Sequence, residues 1–135
     1  MSQEVFIVAA RRTPIGAFQG ALSAATAPEL GAAAARAAIE SSGLAAERID
    51  ETILGCVLMA GIGQAPARQA ALGAGVPQHV PATTINKMCG SALKAVMMAS
   101  DQIRAGAADV VLAGGIESMS NAPYLLPKAR SGLRM

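Results

Sequence analysis

The stretch Gly90-Ser91-Ala92-Leu93-Lys94-Ala95-Val96-Met97-Met98-Ala99 constrains this chain more than any other. Its residues are helix formers, Gly106 stands beyond them as a stop, and nearly every side of the helix they form is small or apolar, with Lys94 the exception. A helix apolar all round is a helix buried all round. One sheet covers one side of it, so a second layer is needed, and 135 residues are few to supply it. After Gly115 the sequence turns loop-like through Ser118, Ser120, Asn121, Pro123, Pro127 and Gly132 and stops at Met135 without a capping element. We therefore expect residues 1–135 to be a fragment of a longer protein.

The elements around this helix alternate. Val5 to Ala9 is an apolar run of β-formers, expected as a strand covered on both faces, and Arg11-Arg12-Thr13-Pro14-Ile15-Gly16 then opens a loop. Thr26-Ala27-Pro28-Glu29 combines an N-cap, a proline in the first turn and a glutamate three places on, and Gly43 follows, so residues 27–42 read as a helix. A second strand is expected at about 52–58, a helix from Pro66 to Gly73 or Gly75, a third strand over Ala82 to Asn86, the apolar helix from about Cys89 to Ala105, and a fourth strand over Asp109 to Ala113. Strands alternating with helices across short loops predict an α/β domain with right-handed crossovers.

Composition removes several functions. Eleven basic and nine acidic residues give a net charge of +2 and are scattered, leaving no nucleic-acid stripe and no polybasic membrane patch. Two phenylalanines, one tyrosine and no tryptophan offer no platform for stacking bases. Met1-Ser2-Gln3-Glu4 lacks the start of a secretory signal, and no apolar run approaches the roughly 18 residues of a membrane span, so a cytoplasmic location is expected. Two cysteines and one histidine read as reduced thiols and a lone imidazole, and no metal site is expected.

Cys89 is the candidate that carries chemistry. It follows a strand, leads into a helix and has Gly90 behind it. A helix N-terminus, with roughly half a positive charge and unpaired N–H groups, favours a thiolate and can cradle an oxyanion. Gly90 admits a substrate carbonyl close to the backbone, and Ser91 keeps the first turn small. Packing as a small hydrophobe is the competing reading of Cys89. Cys56, inside an apolar run, reads as core. Gly61-Ile62-Gly63 lacks the third glycine of a dinucleotide loop, since Pro66 stands in its place. Gln64, Arg68 and Gln69 on the helix after it read by default as a solvated helix face, with interface or substrate contacts as the alternative. His79, between Pro77 and Pro81, reads as a loop residue at the opposite end of the third strand from Cys89. Glu117 follows the fourth strand, where α/β sheets form ligand crevices, and reads as a site carboxylate or as one satisfied by loop N–H groups.

Four stretches, in order, resemble the amino-terminal part of the thiolases, specifically acetyl-CoA acetyltransferases: Val8 to Gly20 (V-A-A-R-R-T-P-I-G-A-F-Q-G), Gly63 to Leu72 (G-Q-A-P-A-R-Q-A-A-L), Asn86 to Ser91 (N-K-M-C-G-S) and Ala113 to Pro123 (A-G-G-I-E-S-M-S-N-A-P). The resemblance spans essentially all 135 residues. It implies a layered αβαβα fold, of which this chain supplies most of the first βαβαβαβ half: residues 1–117 as an incomplete N-terminal α/β domain and 118–135 as the start of the loop-domain insertion. It places Cys89 at the acyl-accepting cysteine, its backbone N–H helping to hold the oxyanion. Implied are acetyl-CoA as substrate with no permanently bound cofactor, a reversible condensation to acetoacetyl-CoA or thiolysis of 3-ketoacyl-CoA, and a homodimer or homotetramer in which the third strand pairs across the dimer axis. The second cysteine and the histidine of the family's C-x-G and G-H-P motifs are absent here. Residues 1–135 alone are therefore expected to be inactive and to need the remainder of a thiolase chain as partner. Fatty-acid condensing enzymes share such a cysteine but not the R-R-T-P-I-G and E-S-M-S set. A nucleotide-binding α/β module, or an assembly subunit with no chemistry of its own, is the alternative from a different class.

Overall fold

The computed structural model describes residues 4–133. Met1-Ser2-Gln3, within the stretch read as lacking a secretory signal, and Arg134-Met135, the end of the 118–135 segment, lie outside the described residues. Three helices and three strands form the body: α1 (Ala27–Ser42), β1 (Glu51–Gly55), α2 (Pro66–Gly73), β2 (Ala82–Ile85), α3 (Ser91–Arg104) and β3 (Val111–Gly115). The sheet is parallel with order β2-β1-β3, and its register sets Gly55 beside Ile85 on one side and Gly115 on the other.

Alternation along β1 divides the core. Leu54, and Cys56 just beyond the strand, point to the face where α1 and α2 lie, packing with Ala27, Ala67, Ala70 and Ile116. Gly55 points to the opposite face, against α3. The two helices on the first face meet through small residues: a methyl group on Gly31 would stand 3.1 Å from the Ala70 Cβ, besides colliding with the Ile116 side chain after β3, and one on Gly73 would stand 2.9 Å from the Ala32 Cβ. The Arg36 guanidinium donates to the Gly73 carbonyl at this seam.

The ends of α1 follow the expected chemistry. The Thr26 hydroxyl accepts from the Glu29 N–H at 3.4 Å, and the Glu29 carboxylate accepts from the Thr26 N–H at 2.8 Å. Gly43 closes the helix in the left-handed region at φ 71°. At the amino edge of the sheet the Asp50 carboxylate accepts from the N–H groups of Asp109 (2.8 Å) and Val110 (2.9 Å). Those two bonds, that from Val110 first, hold its carboxyl below the usual carboxylate range. They also take up the N–H groups that begin the strand expected at 109–113, and β3 is assigned from Val111 to Gly115.

Two expectations are corrected here. Val5 to Ala9 forms no strand and pairs with none among the described residues, and Phe6, Ile7 and Val8 are exposed. It borders a groove whose other walls include Val111–Gly115 of β3, Ala38 of α1 and Val96, Ala99 and Ile103 of α3, so its backbone meets no neighbouring strand. The second strand ends at Gly55 and not at 58, because Val57 and Leu58 turn away to donate to Glu117. The apolar helix is covered on one face, as one sheet without a second layer allows: Ser91, Ala95 and Ala99 are buried, whereas Leu93 (67%), Val96 (38%) and Met97 (51%) stay exposed. A single three-stranded sheet covers only that side.

Replacing Thr26 with alanine removes the hydroxyl that accepts from the Glu29 N–H, keeps the backbone N–H from which Glu29 accepts, and is expected to destabilise the protein by about 1 kcal/mol in urea unfolding. An unchanged midpoint would show that the capping contributes nothing.

Candidate active site at the head of the third helix

The site is built on an absence of side chains. Gly55 and Gly115 are neighbours in the sheet at its carboxyl end. A Cβ on Gly55 would clash with that of Ser91 and stand 2.9 Å from the Ala92 nitrogen, and a Cβ on Gly115 would stand 2.7 Å from the Ala92 Cβ. The first turn of α3 therefore rests directly on the backbone of two strands. Neither glycine has a positive φ, so space and not conformation demands them.

Between β2 and α3 the chain makes a tight turn through Asn86, Lys87, Met88, Cys89 and Gly90. Met88 adopts φ 50°, in the left-handed region, which costs a residue with a Cβ about 1–3 kcal/mol. Both of its peptide groups are held by side chains. The Asn86 Oδ1 accepts from the Met88 N–H at 3.0 Å, while the Ser91 hydroxyl donates to the Met88 carbonyl at 2.6 Å. The same Ser91 oxygen accepts from the Lys87 N–H at 2.8 Å, and the Asn86 amide reaches back to the Val57 carbonyl at 3.4 Å. This turn explains why α3 begins at Ser91 and not at Cys89.

Cys89 sits at the crest of the turn, exposed, directly before the Gly90 N-cap. Gly90 and Ser91 donate backwards to the carbonyls of Lys87 and Met88, both at 3.1 Å, whereas the Cys89 N–H has no acceptor among the described residues. An outward thiol next to a free N–H suits a nucleophile whose product is an oxyanion.

Cys56 has the opposite environment. It is buried, its Sγ lies 3.7 Å from the Glu117 Oε1, and burial together with the negative charge of Glu117 pushes its thiol from 9.0 up to about 11. Glu117 itself accepts from the N–H groups of Val57 (3.0 Å) and Leu58 (3.1 Å), so it is a structural carboxylate fixing the loop after β1. His79 is exposed in the turn before β2, and Cys89 follows that strand, so the strand separates them. Among the described residues no three His, Cys, Asp or Glu side chains gather to hold a metal.

The helix face read as solvated is instead a set of clamps. Arg68 donates to the carbonyls of Val80 and Gln78, each at 2.6 Å, and the Gln69 amide donates to those of Ile62 (2.9 Å) and Gln64 (2.7 Å). Gln69 thus occupies the inside of the Gly61-Ile62-Gly63 loop, where a phosphate-binding loop would keep its N–H groups open. The stretch after Glu117 ties down the early chain: Ser118 donates to the Ala25 carbonyl (2.9 Å), the Asn121 amide to those of Ser23 (2.9 Å) and Ala25 (3.0 Å), and the Gln19 N–H to the Ser120 hydroxyl (2.8 Å).

The paired glycines and the Asn86–Ser91 clamp escape a linear reading of the sequence. Only Asn86, two residues before Met88, carried a local signal, the spacing of an Asx turn.

Iodoacetamide at pH 8 is expected to alkylate Cys89 and to spare Cys56, with Cys56 becoming reactive as the pH nears 11; equal labelling of both at pH 8 would contradict the burial of Cys56. The folded state holds the Cys56 proton more tightly than the unfolded chain. That contribution to stability is complete below pH 9.0 and is lost as the pH rises toward 11. Gly55→Ala is expected to cost about 1–3 kcal/mol in denaturant unfolding through overpacking against Ser91, and wild-type stability would show that the contact is slack.

The family model for the thiolase N-terminal domain matches residues 5–135. An acetyl-CoA acetyltransferase of Pseudomonas aeruginosa is 59% identical over 133 residues, which cover 98% of this chain and 34% of that protein. One of Saccharomyces cerevisiae is 54% identical over 136 residues, covering 99% of this chain and 34% of its own. The crystal structure of Acat5 thiolase from Ascaris suum in complex with coenzyme A superposes with a TM-score of 0.92 at 42% identity, covering 94% of this chain and 33% of that one. The chain thus spans about a third of the length of the curated relatives it matches. Its α/β body with a parallel sheet is a partial thiolase fold, and the chain belongs to the thiolase family, of which it carries the N-terminal domain.

Proposed function

We propose that Cys89 is the acyl-accepting nucleophile of an acetyl-CoA acetyltransferase. The observation that carries this reading is an exposed thiol, raised on a braced turn at the head of α3, in a chain 59% identical to an enzyme of that name. In the first half-reaction the Cys89 sulfur attacks the thioester carbonyl of acetyl-CoA. Its own N–H donates to the tetrahedral oxyanion, and the C–S bond to CoA breaks as the leaving thiolate takes a proton. In the second, another acetyl-CoA loses an α-proton, its carbanion attacks the acetyl-cysteine carbonyl, and acetoacetyl-CoA leaves with the Cys89 thiolate restored. Thiolysis of a 3-ketoacyl-CoA is the same path reversed. The coenzyme A bound by the Ascaris suum relative supports CoA thioesters as the substrate class and CoA as a substrate instead of a resident cofactor.

The proton transfers need an acid and a base, and neither Glu117 nor His79 stands ready beside Cys89. Glu117 is occupied by loop N–H groups, and His79 lies beyond the other end of β2. The acid and base come, on this reading, from the remainder of a thiolase chain, on the same or a separate polypeptide. β2, an edge strand of this sheet, suits pairing across the axis of a homodimer or homotetramer. The two unpaired thiols accord with a cytoplasmic protein.

Incubation of the full chain, with its remaining thiolase portion, in acetyl-CoA is expected to add one acetyl group to the peptide containing Cys89 and none in Cys89→Ala. Acetylation elsewhere, or none, would refute the assignment. Residues 1–135 alone are expected to show no thiolysis of acetoacetyl-CoA, and measurable thiolysis would show that the acid and base lie within them.

A further inference from the structure

We infer that Ser91 and Asn86 are positioning residues, which act on acyl transfer through the conformation of Met88 and not through contact with substrate. The inference rests on the reading of Cys89 as nucleophile. Met88 is the residue immediately before it, and it is held at φ 50° although it carries a side chain. A turn of this kind persists only where its surroundings over-determine it. Here the determinants are two side chains on either side of one residue: Asn86 takes the Met88 N–H (3.0 Å) and Ser91 takes the Met88 carbonyl (2.6 Å).

The Ser91 hydroxyl is unusual for the first residue of a helix. It turns backwards into the preceding turn, bridging the Met88 carbonyl and the Lys87 N–H (2.8 Å), and α3 has no side-chain N-cap bond. Ser91 is also 5% exposed and packed against Gly55, so it is fixed to the sheet at the same time as it grips the turn. Asn86 is anchored to the loop after β1 through the Val57 carbonyl (3.4 Å). The sheet through Ser91, and the loop after β1 through Asn86, thereby fix both peptide groups of Met88, and through them the direction of the Cys89 thiol and N–H.

The test is a rescue. Ser91→Ala keeps the Cβ that rests on Gly55 and removes only the hydroxyl. Glycine in place of Met88 adopts a positive φ without strain, so the clamp becomes dispensable. In the full chain, with its remaining thiolase portion, the rate of Cys89 acetylation by saturating acetyl-CoA is expected to fall about tenfold or more in Ser91→Ala and in Asn86→Ala. It is expected to recover to within about threefold of wild type in Ser91→Ala with Met88→Gly. Acetylation rates within about twofold of wild type in both single variants, or a loss that Met88→Gly does not restore, would overturn the inference. If wild-type Cys89 accepts no acetyl group, the functional reading fails by itself. The iodoacetamide alkylation rates of the same four proteins then decide the clamp: loss and recovery in that order support it, and equal rates overturn it.

Discussion

The close approach of the first turn of α3 to Gly55 and Gly115 is the contact on which the rest of the site depends. Two bare backbones side by side let Ser91 and Ala92 settle onto the carboxyl end of the sheet. Because Ser91 is settled, its hydroxyl can reach back to Met88, and because Met88 is held, Cys89 stands outward. Van der Waals contact in the sheet, two hydrogen bonds at the turn and one strained residue form a single chain of causes from β1 to the sulfur.

The two cysteines show how environment separates one residue type into two roles. Cys56 lies one residue beyond β1, sealed by α1 and α2 and faced by the Glu117 carboxylate, and both conditions oppose loss of its proton. Cys89 lies beyond β2, where the chain turns out of the sheet into a helix that lacks a side-chain cap. Glu117, which a crevice reading could place in the chemistry, instead braces the loop at Val57, and the Val57 carbonyl in turn receives Asn86. A structural carboxylate thus supports the turn from two steps away.

Features written in consecutive residues were legible. Thr26-Ala27-Pro28-Glu29 and Gly43 delimit α1 as read, and the strand–helix junction at Cys89 was found from its neighbours. Features that depend on another strand were not. Gly55 and Gly115 are ordinary glycines until the register pairs them, and Arg68 and Gln69 look like a wet helix face until the Gln78, Val80, Ile62 and Gln64 carbonyls come within reach. Val5 to Ala9 has the composition of a buried strand and yet stands exposed, and α3 has the composition of a helix buried all round and yet shows Leu93 and Met97 to solvent. Composition records what a segment is suited to be covered by, and among the described residues nothing covers the outer face of α3 at Leu93 and Met97.

The rate of acetyl transfer from acetyl-CoA to Cys89 in Gly55→Ala, compared with that in Thr26→Ala, tests the dependence of the site on the glycine contact most directly. Both substitutions lower stability, but only the first disturbs the seat of α3. The account predicts a loss of about tenfold or more in Gly55→Ala and a wild-type rate in Thr26→Ala, measured where both remain folded. Equal rates in the two variants would contradict it.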